Sequence, residues 1–188
     1  MSGIGHNKGP SMEAGAGWRR YCWQRARKGL VKNAVPLEIV RIRMKRAREL
    51  GLAYPQYASI LRGTGRDVVG FLFTCDGLGL RLRRRLAMPE PVREKLGGLI
   101  DVNLMAFAPE GEVPEAFRTE LGAVAGVAFA SAGAPPGAGW SAKRRAVRAV
   151  LDPLKLPGDA VVLIGHRDAE EWSVAGKMAG FVPGHEYF

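Results

Sequence analysis

The sequence predicts an α/β fold with a basic helical appendage at its N-terminal end, and three observations support that expectation. From residue 67 onward, short apolar runs alternate with helical patterns, and the runs at 68–73 and 159–164 have the length of buried strands. All of the excess positive charge lies before residue 67. The chain of 188 residues is 47% hydrophobic and 24% charged, which is typical of a folded globular protein.

Three segments follow one another along the chain: a glycine-rich flexible tail at 1–16, a basic helical region at 17–66 and the α/β domain at 67–188. In the α/β domain the pattern predicts strands at 68–73, 99–108, 123–130 and 159–164, and helices at 91–96, 114–121, 141–154 and 169–179. Gly180 is expected to end the last helix, and the arginines at 81 and 83–85 indicate a solvated helix face. Short buried strands that alternate with helices predict a Rossmann-like three-layer arrangement around a parallel sheet.

The sequence also bears on the cellular compartment. No apolar run approaches the roughly 20 residues needed to cross a bilayer, and the N-terminal residues lack the apolar core of a signal peptide. The two cysteines, Cys22 and Cys75, have no spacing that predicts a disulfide, and no Cys/His group has zinc-ligand spacing. We therefore expect a cytoplasmic protein without a metal site.

The distribution of charge points to a partner. Residues 1–66 carry 14 lysines and arginines against 3 acidic residues, a net charge of +11, whereas residues 67–188 carry 14 against 15, a net charge of −1. This asymmetry predicts a polyanionic partner for the basic region, with nucleic acid first and an anionic membrane surface second. The alternatives are a basic face that binds an acidic protein partner and a solvated basic face with no partner.

The segment 47–61 has the spacing of two helices joined by a tight turn. Gly51 supplies the positive φ of the turn, Ala47 lies four positions before it, and Tyr57 and Ile60 follow where the second helix packs on the first. The segment resembles the helix-turn-helix of bacterial repressors, and the alternative is a purely structural αα-hairpin. The resemblance implies DNA binding, with base contacts from Tyr54, Gln56, Ser59 and Arg62 and phosphate contacts from Arg41, Arg43, Lys45 and Arg46.

Four short motifs in the α/β region occur in a characteristic order. They are FLFTCDGLGL at 71–80, VAFASAG at 127–133, SAKRR at 141–145 and the segment that begins DAVVLIGHRD at 159. Their order and spacing resemble those of the haloacid dehalogenase superfamily over residues 68–182. In that superfamily one aspartate attacks phosphorus, a second acts as acid and base, a hydroxyl and a lysine hold the phosphoryl oxygens, and distal acids ligate Mg²⁺.

The resemblance assigns roles to individual residues. It places Asp76 at the acid/base position, Ser131 at the hydroxyl position and Lys143 at the lysine position. Thr74 occupies the nucleophile position and His166 the first metal-ligand position, so this chain departs from the pattern at two acids. The resemblance therefore implies a catalytically degenerate, HAD-like domain, a pseudoenzyme that needs no cofactor. The alternatives are an active phosphohydrolase that uses Mg²⁺ and a Rossmann-like fold unrelated to that superfamily.

Together these observations favour a protein that binds nucleic acid and uses the α/β domain as a scaffold. A regulatory role is compatible with this prediction. The Mg²⁺-dependent phosphohydrolase and the protein-binding adaptor with a basic helical face stay as the two alternatives.

Overall fold

The computed structural model describes residues 18, 20–26, 35–83 and 85–188, so the predicted tail at 1–16 lies outside the described residues. Residues 18 and 20–26 are helical, and the rings of Trp18 and Tyr21 stack with their centroids 5.6 Å apart. The chain divides into two compact units, of which the second is Arg41–Phe188. The predicted boundary at residue 66 does not coincide with this division.

Seven helices and seven strands have bounds within the described residues. The helices are α1 (Leu37–Glu49), α2 (Tyr54–Thr64), α3 (Glu90–Gly97), α4 (Pro114–Ala125), α5 (Trp140–Leu151), α6 (Glu170–Gly176) and α7 (Gly184–Tyr187). The strands are β1 (Gly70–Phe73), β2 (Arg81–Arg83), β3 (Arg85–Ala87), β4 (Asn103–Phe107), β5 (Ser131–Gly133), β6 (Val161–Gly165) and β7 (Gly180–Pro183). In the part of the chain that the structure describes, no helix combines the length and the apolar character needed to span a membrane.

Five of the strands form one sheet in the order β5–β4–β1–β6–β7, and every pair in it is parallel. The central strand is β1, where Phe71 lies opposite Leu104 on one side and Val162 on the other. β2 and β3 form a separate antiparallel hairpin. A parallel sheet flanked by helices is the Rossmann-like α/β arrangement that the sequence predicts, and this prediction is confirmed.

The two faces of the sheet contribute to two separate cores, because successive side chains of a strand point to opposite faces. On one face Phe71, Phe73 and Ile164 pack among buried residues of α1 to α4 and α7. On the other face Leu72 and Leu163 pack against α5, with α6 at the margin of that cluster. Helices on both faces explain why the strands of the sheet centre are continuously apolar.

Three element predictions are wrong. The predicted strand at 123–130 is instead the end of α4 and the loop after it, because Gly126 (φ 72°) caps the helix, and the third strand of the sheet begins only at Ser131. Gly180 does not end a helix but begins β7, since α6 already ends at Gly176. Arg81, Arg83 and Arg85 lie in the strands β2 and β3 and not on a helix.

The turn between α1 and α2 is tied to the sheet. Gly51 has the predicted positive φ, 62°, and the hydroxyl of Tyr187 in α7 donates a hydrogen bond to the carbonyl of Leu50 at 3.0 Å. Leu50 and Tyr57 are buried in the same core as Phe71. Residues 41–66 therefore belong to the compact unit Arg41–Phe188.

Candidate functional site

A cleft of about 560 Å³ lies at the carboxyl edge of the sheet. The loops that follow β1, β4 and β5 form its walls, together with Trp172 from α6. Open parallel α/β sheets bind their ligands outside this edge, near the point where the strand order reverses. In this sheet the order reverses between β1 and β6, and the cleft is lined on one side by the loop after β1. The cleft is therefore the first place in this fold to look for a ligand site.

The loop after β1 is held rigidly against β6. The amide of Thr74 donates to the carbonyl of Ile164 at 3.0 Å, which extends the sheet by one residue, and the Thr74 hydroxyl oxygen accepts from the amide of Gly77 at 3.1 Å. A Cβ on Gly77 would lie 2.6 Å from the Ile164 carbonyl oxygen, so only glycine allows this close approach. The loop thereby presents the exposed Asp76 at the cleft.

The thiol of Cys75 also lines the cleft but is not prepared for nucleophilic chemistry. Its Sγ donates a hydrogen bond to the carbonyl of Phe107 at 3.3 Å. Burial, reinforced by the negative charge of Asp76, raises the pKa of Cys75 to about 11. The thiolate is the reactive form of cysteine, and this thiol is protonated at neutral pH.

The lining of the cleft is acidic and aromatic. It contains the carboxylates of Asp76, Glu110 and Glu112 and no lysine, arginine or histidine. None of the hydrogen bonds and ion pairs found among the described residues engages the side chain of any of these three acids. The ring of Trp172 packs edge to face on Phe107, with centroids 5.5 Å apart at 86°. The site therefore combines unneutralised negative charge with an apolar wall.

The structure brings together only part of the predicted phosphoryl site. Thr74 and Asp76 line the cleft together. Ser131 is the first residue of β5 and pairs with Met105 of β4, so it lies two strands away from β1 and before the carboxyl edge. The assignment of Ser131 as the phosphoryl-binding hydroxyl is therefore corrected: the strand at 123–130, at whose end it was expected, does not exist.

Lys143 and His166 lie outside the lining of the cleft. Lys143, in the first turn of α5, forms an ion pair with Glu171 of α6. His166 follows β6, and its Nδ1 lies 3.1 Å from the carboxylate of Asp168, with both side chains exposed. The lysine has a partner already, and the histidine faces solvent.

The phosphohydrolase alternative requires donor atoms that could hold Mg²⁺. Mg²⁺ requires several oxygen ligands in near-octahedral geometry. Within the described ranges no three side chains of His, Cys, Asp or Glu are grouped closely enough to hold a metal ion. The residues of the cleft thus do not fit the Mg²⁺ that the phosphohydrolase alternative requires.

Arg46 has a structural role. All five N–H groups of its guanidinium are used, because Nε donates to Asp67 at 2.8 Å and the two terminal nitrogens donate to four further oxygens. Those four acceptors are the Glu49 carboxylate and the carbonyls of Val68, Ile100 and Asp101. No donor is left for a phosphate, so the prediction that Arg46 contacts phosphate is corrected.

Other basic side chains of the α1–α2 region are exposed. They are Arg41, Lys45 and Arg48 on α1 and Arg62 on α2, while Arg43 is half-buried. Lys45 approaches Glu49 at 3.7 Å, but its side chain is 81% exposed, and such surface pairs are weak. Of the predicted phosphate-contacting residues, Arg41 and Lys45 are therefore the two that are exposed.

The four predicted base-contacting residues do not form one free face of α2. The Gln56 side chain accepts a hydrogen bond from the Ala53 amide at 3.4 Å, which caps the helix. Gln56 and Ser59 also line a crevice of about 250 Å³ against β7 and α7. Tyr54 is half-buried, whereas Ser59 and Arg62 are exposed.

The fold and the cleft define an α/β protein of Rossmann-like architecture with an acidic, aromatic site at the carboxyl edge of its sheet. Comparison with protein-family models, with curated proteins and with solved structures finds no match for this chain. Glu110, Glu112 and Trp172 are the site residues that sequence reasoning missed. The signal for the two glutamates was their position directly after the apolar run at 99–108, at the same sheet edge as Asp76.

Proposed function

We propose that this protein binds nucleic acid through the phosphate backbone, with the exposed basic side chains of α1 and α2 as its contacts. The proposal rests on positive charge that ion pairs within the fold do not neutralise. Residues 41–66 contain seven basic residues and one acid, a net charge of +6. Arg46 is consumed by structural hydrogen bonds and Arg66 pairs with Asp159 at 3.2 Å, but Arg41, Arg48 and Arg62 are exposed.

Backbone contact, without reading of the bases, is what these positions support. Contacts to phosphate set affinity and carry no sequence information, whereas base reading requires several side chains on one free face. Gln56 caps α2 and Tyr54 is half-buried, which leaves only Ser59 and Arg62 of the predicted base-contacting residues exposed. The α/β unit then acts as the scaffold that holds the basic helices. Any regulatory role results from binding of the protein to nucleic acid.

The proposal is tested by fluorescence anisotropy on the full chain with a labelled duplex of random sequence at a series of salt concentrations. The logarithm of the binding constant should fall linearly with the logarithm of salt, by about 0.9 per phosphate contacted. The double variant Arg41→Gln/Lys45→Gln should reduce that slope by about 2. The matched control is Arg144→Gln/Arg145→Gln, which removes the same charge from exposed positions on α5 and should leave the slope unchanged.

Three outcomes contradict the proposal. Absence of binding at low salt removes it, and so does an equal effect of the two double variants, which would indicate attraction to net charge alone. Displacement of the duplex by polyglutamate at equal charge concentration, with no preference for nucleic acid, would support instead the adaptor that binds an acidic protein.

A phosphohydrolase is the second candidate function. The resemblance to the haloacid dehalogenase superfamily and the presence of Thr74 and Asp76 in one cleft favour it. No described residue accepts the hydroxyl proton of Thr74, and the acidic lining repels a phosphate dianion. We expect no turnover of p-nitrophenyl phosphate in the presence of Mg²⁺. Turnover that disappears in Asp76→Asn would establish this candidate in place of the degenerate domain.

A further inference from the structure

We propose that the aromatic segment, the helical residues 18 and 20–26, binds single-stranded nucleic acid by stacking its rings on unpaired bases. The inference rests on the proposed function, because it names the form of nucleic acid that this part of the chain prefers. Three properties of the segment carry it: the exposure of its rings, the stacked geometry of two of them and the arginines beside them.

The aromatic segment exposes three large rings close together in the sequence. Trp18, Tyr21 and Trp23 have 69%, 50% and 76% of their surface exposed. Phe71 and Phe73 of β1, in contrast, are completely buried. Large apolar groups that cluster on a surface mark a site of interaction, whereas single exposed ones are ordinary. The three rings are therefore available to a partner.

Two of the rings are already arranged as a stack. The centroids of Trp18 and Tyr21 lie 5.6 Å apart, and their planes are inclined by 27°. A nucleic-acid base is a flat π-system that stacks on such a ring, and it does so with little dependence on sequence. The faces of bases in a duplex are covered by their neighbours, whereas a single strand can turn its bases outward. The stacked pair therefore favours a single strand.

Arginines lie beside the rings. Arg25 follows Tyr21 by one helical turn, and its Nη1 lies 3.5 Å from the Tyr21 hydroxyl oxygen. Arg20 is exposed as well. Residues 18–32 of the sequence contain six arginines and lysines and no acidic residue. The complementary partner combines flat apolar rings with regularly spaced negative charge, which is the composition of a nucleic-acid strand.

The distribution of the rings around the helix does not suit an anionic membrane surface. At about 100° per residue, Tyr21 and Trp23 lie about 160° apart around the helix axis. A helix that lies on a bilayer needs its apolar side chains in one sector and its charges in the opposite one. Here Arg25 lies beside Trp18 and Tyr21 instead. A flexible strand, in contrast, can bring bases to rings on different sides of one helix.

Fluorescence anisotropy of the full chain tests the proposal with two labelled strands of about 15 nucleotides, an oligothymidylate and an abasic strand with the same number of phosphates. Because the two strands carry equal charge, a difference in their affinity measures contact with the bases. The oligothymidylate should bind at least about fivefold more tightly, which is the effect of roughly one stacked base.

Variants locate the contact. Trp18→Leu/Tyr21→Leu should weaken binding of the oligothymidylate at least about fivefold and leave binding of the abasic strand within about twofold. Trp140→Leu is the matched control, because it removes an indole that is 56% exposed in the first turn of α5, and it should leave both strands unaffected. Leucine is a good helix former, so the double variant keeps the helix. Trp23→Leu provides a second variant, with an expected loss of about twofold or more for the oligothymidylate alone.

The proposal is overturned if the two strands bind equally, or if Trp140→Leu weakens binding as much as the double variant does. It is also overturned if the double variant loses binding to phosphatidylserine vesicles but keeps its affinity for the oligothymidylate, which would assign the segment to a membrane surface. Failure here is distinct from failure of the proposed function, because the latter is measured by the salt dependence of duplex binding in Arg41→Gln/Lys45→Gln.

Discussion

Arg46 joins three parts of the chain through one side chain. Its guanidinium connects α1 to the residues that precede β1 and to the loop before β4, by way of the carbonyls of Val68 and Asp101. Such a fork of donors is specific to arginine, since a lysine ammonium is a point charge with three donors. An arginine that the sequence predicts to contact phosphate therefore stabilises the fold instead.

We predict that Arg46→Met lowers the free energy of unfolding by about 3 kcal/mol, because it leaves Asp67 and three carbonyls without their donor. Arg46→Lys should recover less than half of that loss. Urea denaturation of both variants measures the effect. Arg48→Met, at an exposed site on the same helix, should stay within about 0.5 kcal/mol of the unchanged protein, and an equal loss in that control would contradict the assignment.

The two cysteines should differ strongly in reactivity. Cys22 is exposed, whereas burial and Asp76 raise the pKa of Cys75 to about 11 from an ordinary value of 9.0. Because alkylation proceeds through the thiolate, iodoacetamide at pH 8 should modify Cys75 about a hundredfold more slowly than an unperturbed thiol. Mass spectrometry of peptides taken over time checks this, and equal rates at the two sites would refute the protected position of Cys75.

At the scale of elements, the loop after β1 depends on two backbone approaches at one residue. Gly77 lies against β6, and a Cβ built on Gly184 at the start of α7 would lie 2.9 Å from the Cα of Gly77. Both neighbours are main chain and cannot rotate away as a side chain tip can. The position of Asp76 in the cleft is thus set by contacts between three elements.

We predict that Gly77→Ala destabilises the protein by about 2 kcal/mol, since a methyl group 2.6 Å from the Ile164 oxygen forces a backbone shift. Gly97→Ala is the matched control, because a Cβ there meets nothing within 4 Å and alanine favours the helix. Thermal denaturation of the two variants should give opposite signs. Equal stability would mean that the loop can move away from β6.

The elements that sequence reasoning found are those with a strong apolar pattern. β1 and β4 lie inside predicted strands, and β6 ends one residue beyond one, because their residues are buried on both faces. β5 consists of Ser131, Ala132 and Gly133, and β7 begins with glycine and ends with proline, so neither carries an apolar run. Their strand structure comes from pairing with β4 and β6, which a local pattern does not contain.

The candidate site was predictable to the extent that it follows from the ends of correctly placed strands. Thr74 and Asp76 directly follow β1, and both lie in the cleft as expected of residues at that edge. Ser131 was assigned from a strand that does not exist. Trp172 was missed because a tryptophan in a helix is usually a packing residue, and its place beside Phe107 depends on how α6 crosses the sheet.

On the scale of the whole Arg41–Phe188 unit, the last helix links distant parts of the fold. The hydroxyl of Tyr187 reaches the α1–α2 turn, and the ammonium of Lys95 in α3 donates to the Tyr187 carbonyl and lies 4.0 Å from the centre of its ring. Tyr187 is buried, and burial raises its pKa well above its ordinary range. Burial lowers the pKa of Lys95 in the same cluster.

These shifts predict a loss of stability in alkali. Burial and the hydrogen bond to Asp67 raise the pKa of Tyr57 to about 12, and the pKa of Cys75 is raised to about 11. Groups with a raised folded-state pKa stabilise the fold below their unfolded values, 9.0 for the thiol and 10.0 for tyrosine, and this stability is lost as the pH rises through the folded values. Lys95 acts in the opposite direction below its ordinary value of 10.5.

Urea denaturation between pH 9 and 12 measures this dependence, and each tyrosine should contribute a fall of up to about 1.4 kcal/mol per pH unit above pH 10. In Tyr57→Phe the slope should be shallower by that amount, although the variant loses about 1 kcal/mol at neutral pH with its hydrogen bond to Asp67. An unchanged slope in this variant would show that Tyr57 ionises as easily in the folded chain as in the unfolded one.

The central position of β1 has a consequence for synthesis of the protein. A ribosome delivers β1 first among the sheet strands, but one of its two neighbours, β6, is encoded only at Val161–Gly165. Until that segment emerges, one edge of the strand that carries Phe71 and Phe73 has no backbone partner. Unpaired apolar strand edges are prone to aggregation, so the nascent chain must be shielded or fold late, after β6 has been translated.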